Sequence, residues 1–180
     1  MIINANCLDV LPNIGSYTDK QTILVTDPPF NIGYKYKTYK DKMKASEYYS
    51  MLNNVFQYFD MQVFIAYPEI LYEFAARFQH VPNRVCSWVY NSNTPRQHRD
   101  IAFYGFDPDF QKHGQPYKNP NDKRVKELIA AGKHARLYDW WNVNQVKNVS
   151  KEKTRHPCQM PIEVMKNIIG CLPDGVCVCG

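Results

Sequence analysis

Apolar residues along this chain come in short runs whose spacing switches between the strand repeat and the helix repeat. Gln21 to Thr26 is a β-branched run stopped by Asp27-Pro28-Pro29, which predicts a buried strand ended by proline. Ser46 then caps an amphipathic helix with Tyr48, Leu52, Val55 and Phe59 on one face, and Gln62 to Ala66 predicts a second strand. Pro68 opens another helix with Leu71, Phe74, Ala75 and Phe78 inward, followed by a strand over Arg84 to Tyr90. Strands alternating with helices predict an α/β sheet with helices on both faces.

From Asn91 to Arg155 the pattern changes. Ile101 to Tyr104 is strand-like, Phe106 to Asn121 is polar and holds three prolines, and Asp122 to Gly132 predicts a short helix. This stretch reads as an insertion at the edge of the sheet. Pro161 begins a last helix whose stripe is Ile162, Met165, Ile169 and Leu172, and Val176 to Cys179 starts one more strand.

Composition narrows the class. With 180 residues, 44% hydrophobic and 14% aromatic, the chain supports one domain with a true core. A net charge of +5 favours a polyanionic partner. Six cysteines follow a start without the features of a secretory leader, so they read as cytosolic thiols and the location as cytoplasmic. No Cys-x-x-Cys pair occurs, so no metal is expected, and no apolar run reaches membrane-spanning length.

The sharpest chemical signal is Asp27-Pro28-Pro29-Phe30 directly after a buried strand. An exocyclic amine on a nucleobase is a poor nucleophile because its lone pair is delocalised into the ring. A carboxylate at Asp27 and a rigid carbonyl at Pro28 would accept its two hydrogens, draw the nitrogen toward tetrahedral geometry and aim the lone pair outward. Phe30 offers a flat face to a base taken out of the duplex stack.

These four residues, with Asn31-Ile32-Gly33-Tyr34 after them, resemble motif IV of the DNA amino-methyltransferases of the permuted, beta-type order. Two further segments match in the family's sequence. Asn4 to Leu11 resembles the segment that binds the adenosine of S-adenosylmethionine, and Arg155-His156-Pro157-Cys158-Gln159-Met160-Pro161 resembles motif X, which walls the cofactor pocket. The resemblance implies a Rossmann-like methyltransferase sheet, a single domain over 1–180, and a target-recognition region within 91–155. It also implies transfer of methyl from S-adenosylmethionine to adenine N6, or cytosine N4, in a restriction-modification setting. Asp27, Pro28, Pro29 and Phe30 would be catalytic, while Asn6, Cys7, Asp27, His156, Pro157 and Gln159 would hold the cofactor.

Three departures matter. Asn6 stands where an acidic residue normally accepts from the cofactor's adenine, and Cys158 and Met160 replace a threonine and a lysine. The chain also stops at Gly180, where the family's order leads into a glycine-rich cofactor loop and a further strand beside the edge at Met1 to Asn4. The expectation is a truncated methyltransferase, weakened in cofactor binding, that needs a missing C-terminal segment or a second chain, with a homodimer as a further expected assembly. The alternative is a catalytically inactive remnant that binds DNA or acts as a decoy. Duplex DNA is the expected partner, with Lys35, Tyr36, Lys37, Tyr39, Lys40, Arg96 and Arg99 as contacts and His98, Lys147, Lys151 and Lys153 behind them.

Overall fold

The computed structural model describes residue 3, residues 5–36 and residues 39–180. The edge expected over Met1 to Asn4 lies, except for Ile3, outside the described residues, and so does Lys37.

Among the described residues, six strands form one sheet. Strand β1 (Thr22–Thr26) lies between β2 (Met61–Ala66) and β8 (Cys177–Cys179), parallel to both. Beyond β2 come β4 (His98–Tyr104), β3 (Arg84–Val89) and β7 (Trp140–Asn142). Of these strands β4 alone runs the other way, antiparallel to both β2 and β3, while β7 is parallel to β3. The expected α/β fold is therefore present as a mixed sheet. Ile23, Leu24 and Val25 are all buried, as are all six residues of β2, because both faces of these strands are covered.

The helices divide between the faces. On one side, α2 (Ala45–Phe56) and α3 (Pro68–Phe78) press Tyr48, Leu52, Phe56, Leu71 and Phe74 onto Leu24, Phe64 and Ala102. Phe56, Phe64 and Phe74 meet edge-on with ring centroids 4.7–5.7 Å apart. The short helix α1 (Cys7–Val10) and the 3₁₀ turn that follows it deliver Leu11 to the same core. On the other side, α5 (Ile162–Gly170) packs Val164 and Ile168 against a cluster containing Ile23, Val25, Val63, Ile65 and Trp88.

Four expectations are corrected. Ile101 to Tyr104 is no edge insertion, since β4 lies inside the sheet with Ile101 opposite both Ile65 and Cys86. The excursion therefore starts at Gly105, whose φ of +74° and position against the Asp60 carbonyl leave no room for a Cβ. It carries β5 (Gly114–Gln115), α4 (Lys123–Ala130) and β6 (Ala135–Arg136), and it returns to the sheet at β7. Lys44, not Ser46, is the N-cap of α2, and Pro161 is the N-cap of α5 and not its first helical residue. The buried residues of α5 are Val164 and Ile168; of the expected stripe, Leu172 is buried just beyond the helix and Met165 packs against the same cluster, while Ile162 and Ile169 are 50% and 43% exposed.

Phe74 is fully buried at the centre of the three-ring contact. Phe74→Ala is expected to lower unfolding free energy by about 3–5 kcal/mol, measured by chemical denaturation.

Candidate active site

Because β1, β2 and β3 run the same way, the residues after them emerge at one edge of the sheet: Asp27, Tyr67 and Tyr90. The reversed strand β4 begins at that edge and brings Arg99 there. A cavity of about 780 Å³ opens at this point. Its size suits a small-molecule site, and in open α/β sheets ligands bind at the carboxyl ends of strands. Asp27, Pro28, Pro29 and Phe30 line one side, and His156, Pro157, Cys158, Gln159 and Met160 line another. Two segments matched independently in the sequence thus share one cavity.

Asp27 is held by Arg99. The guanidinium Nη1 lies 3.2 and 3.4 Å from the two carboxylate oxygens, and both side chains are more than four-fifths buried. The Arg99 guanidinium also sits 4.9 Å from the Phe30 ring centre, 5.3 Å from that of Trp88 and 5.7 Å from that of Tyr67. Its Nε has no hydrogen-bond partner among the described residues. Burial pushes the Asp27 carboxyl up to about 6, outweighing the opposing charge and hydrogen bond of Arg99. Arg99 therefore belongs to the cavity and is not the surface phosphate contact expected from the sequence.

The loop after Phe30 is fastened by a buried acid that sequence reasoning missed. The Asp41 carboxylate accepts the backbone N–H groups of Asn31, Ile32 and Tyr34 at 2.8, 3.2 and 2.9 Å, and its carbonyl accepts that of Gly33. Asn31 adopts a left-handed φ of 57° and pairs its side-chain amide with both backbone groups of Met43. The signal was local: an Asn-x-Gly turn gathers N–H donors that need an acceptor. Asp41 stands in a run of lysines and reads there as a solvated charge.

Beyond it, the Tyr36 ring meets Tyr34 at a tilt and Tyr39 edge-on, and the Tyr36 hydroxyl donates to Cys158 Sγ at 4.0 Å, closing the loop onto the His156–Met160 wall. Burial raises the Tyr36 hydroxyl above its ordinary value. Lys35 and Lys40 are exposed and bridge across this loop.

Gln159 is a brace. Its amide accepts from Thr154 N–H and donates to the Glu152 carbonyl, while the Glu152 carboxylate accepts from Ile162 N–H at the start of α5. Lys153 reaches the His156 carbonyl. Arg96 is exposed, pairs with Glu69 and stacks over Tyr67. The Asn6 side chain caps α1 by accepting from Leu8 N–H, Cys7 is exposed, and neither lines the cavity. Among the described residues no cluster of side chains could hold a metal ion, and no helix is long and apolar enough to cross a membrane.

No protein-family model matches this chain, and no curated protein matches it. Among solved structures it is similar to the crystal structure of the M1.HpyAVI-SAM complex, at 14% identity and a TM-score of 0.44, over 93% of this chain and 73% of that one.

Removing the Asp41 carboxylate strands three loop N–H groups. Asp41→Ala is expected to cost about 1–3 kcal/mol and to speed tryptic cleavage at Lys35, Lys40 and Lys42, read by limited proteolysis with mass mapping.

Proposed function

We propose that this cavity serves methyl transfer from S-adenosylmethionine to an exocyclic amino group of a nucleobase in DNA, adenine N6 in the first instance. The observation that carries the reading is the shared cavity: the Asp27-Pro28-Pro29-Phe30 turn faces the same space as His156, Pro157 and Gln159, which come from the far end of the sequence. When bound, the cofactor supplies an electrophilic methyl group on a sulfonium cation.

The residues present fit such a group. Val25, Met165, Pro157 and Cys158 give apolar walls, and Asp27 brings a carboxylate without backbone N–H partners to the same space. Asp27 and the Pro28 carbonyl accept the two amine hydrogens, and the lone pair turns away from them toward the methyl donor. Phe30 supports the base ring. Gln159 keeps the His156–Met160 wall in position through its two backbone bonds.

The nucleic-acid side of the proposal rests on charge. Residues 112–136 hold seven lysines and arginines against Asp122 and Glu127, an excess equal to the chain's whole net charge of +5. Helix α4 buries none of its residues and is capped by the Asp122 side chain. We assign target recognition to this part of the 91–155 region, with Lys35 and Lys40 nearer the cavity as secondary phosphate contacts.

A second reading has its own support. With Asn6 and Cys7 away from the cavity, the adenosine contacts implied by the resemblance are lacking, which favours a silent DNA-binding protein. Titration with S-adenosylmethionine decides: saturable binding with methyl transfer supports the enzyme, and DNA binding without it supports the remnant.

Asp27→Asn is expected to lower methyl transfer by at least about 100-fold while leaving duplex affinity unchanged, measured with labelled cofactor and by gel shift. The ionised carboxylate is the stronger acceptor for the amine hydrogen that Asp27 takes, so the wild-type rate is expected to be full above pH 7 and to fall as pH drops through about 6. Replacing Lys123, Arg124 and Lys126 with alanine is expected to reduce the slope of log affinity against log salt by about 2 to 3, read by fluorescence anisotropy.

A further inference from the structure

Arg99 is a cation enclosed in a cavity proposed to bind a sulfonium and an uncharged base, so it needs an account of its own. It is not a phosphate contact, because its guanidinium is turned inward, nearly nine-tenths buried, between three aromatic rings and the Asp27 carboxylate. It is not a stability device of the ordinary surface kind either. A pair this far from water gains little net stability, since desolvating both charges offsets their attraction. What the pair does is local.

We infer that Arg99 is the positioning residue of this site: from its fixed place on β4 it tethers the Asp27 carboxylate beside the Phe30 ring and supplies the countercharge that keeps it anionic there. This rests on the proposed reaction only for what the anion is used for. The strand makes the tether rigid, as Asp100 and Ile101 are buried and paired across both neighbouring strands. The aromatic box holds the guanidinium from its other sides, so the carboxylate and not the arginine is the partner that adjusts.

The other ionisable groups around Asp27 do not replace this role. Asp41 from the loop is committed to backbone donors, and Tyr36, Tyr48 from α2 and Tyr90 after β3 are neutral phenols whose ionisation is raised by burial. His156 and Cys158 line the far wall.

The test is a carboxyl titration of Asp27 by carbon NMR on aspartate-labelled protein without substrate, assigned with Asp27→Asn, in wild type, Arg99→Met, Arg99→Gln and Arg99→Lys. The two neutral variants are expected to move the midpoint upward by about 1–3 units, and the lysine variant to stay near wild type. Methyl transfer by the neutral variants should drop about 2- to 100-fold at pH 7 and recover toward pH 9. An Asp27 midpoint unchanged in either folded neutral variant overturns the inference. So does a rise in substrate affinity and turnover, which would make Arg99 a plug that the base displaces. A shifted midpoint in a protein that transfers no methyl at any pH leaves the role of Arg99 intact and removes the proposed reaction instead.

Discussion

Strand direction is the constraint on which the rest of the molecule depends. Parallel strands cannot be joined by a tight turn, so each crossover returns the chain to the starting edge, and the residues that follow β1, β2 and β3 collect at the other. The single reversed strand, β4, then enters from that edge and contributes a residue near its beginning. Asp27, Tyr67 and Arg99 meet there although they are far apart in sequence. Because β1 is paired on both sides and covered on both faces, the turn that ends it has little freedom to drift.

Electrostatics then gives the edge its character. A carboxylate and a guanidinium are kept in a cavity walled by proline, phenylalanine, tryptophan, methionine and valine, where each charge has few partners besides the other. A second carboxylate, Asp41 in the following loop, is treated in the opposite way, saturated by backbone donors and thereby made structural. Two acids of the same type thus divide into one that is available and one that is spent, and the division is made by the local supply of N–H groups.

Much of the frame was legible in the sequence because its signals are local. The β-branched run at β1, the proline that opens α3 and the apolar run at β2 each declare their own conformation, and all three stand where they were expected. The placement of β4 was not legible, since Ile101 to Tyr104 looks like any short strand and its position between β2 and β3 is fixed only by non-local pairing. The inward face of α5 was legible only in part, for a different reason. Ile162, Val164, Met165, Ile168 and Ile169 surround much of the helix, so periodicity offers two stripes and only packing selects one. At the cavity, the Asp-Pro-Pro-Phe turn and the His156–Gln159 wall were readable as motifs. Asp41 and Arg99 were not, because a charged side chain among polar neighbours reads as solvated until tertiary structure removes the water.

Helix α5 runs from the cavity wall to the base of the excursion. Its first turn follows Met160, and its Met165 lines the cavity. Its last residue, Gly170, lies against the His113 ring so closely that no side chain would fit between them, and Lys112 bonds the Leu172 carbonyl just beyond. Nine residues of α-helix form a rod about 13 Å long that resists stretching. The base of the positively charged excursion and the cavity wall are therefore mounted on a common axle, and that axle is itself bedded on the sheet through Val164 and Ile168.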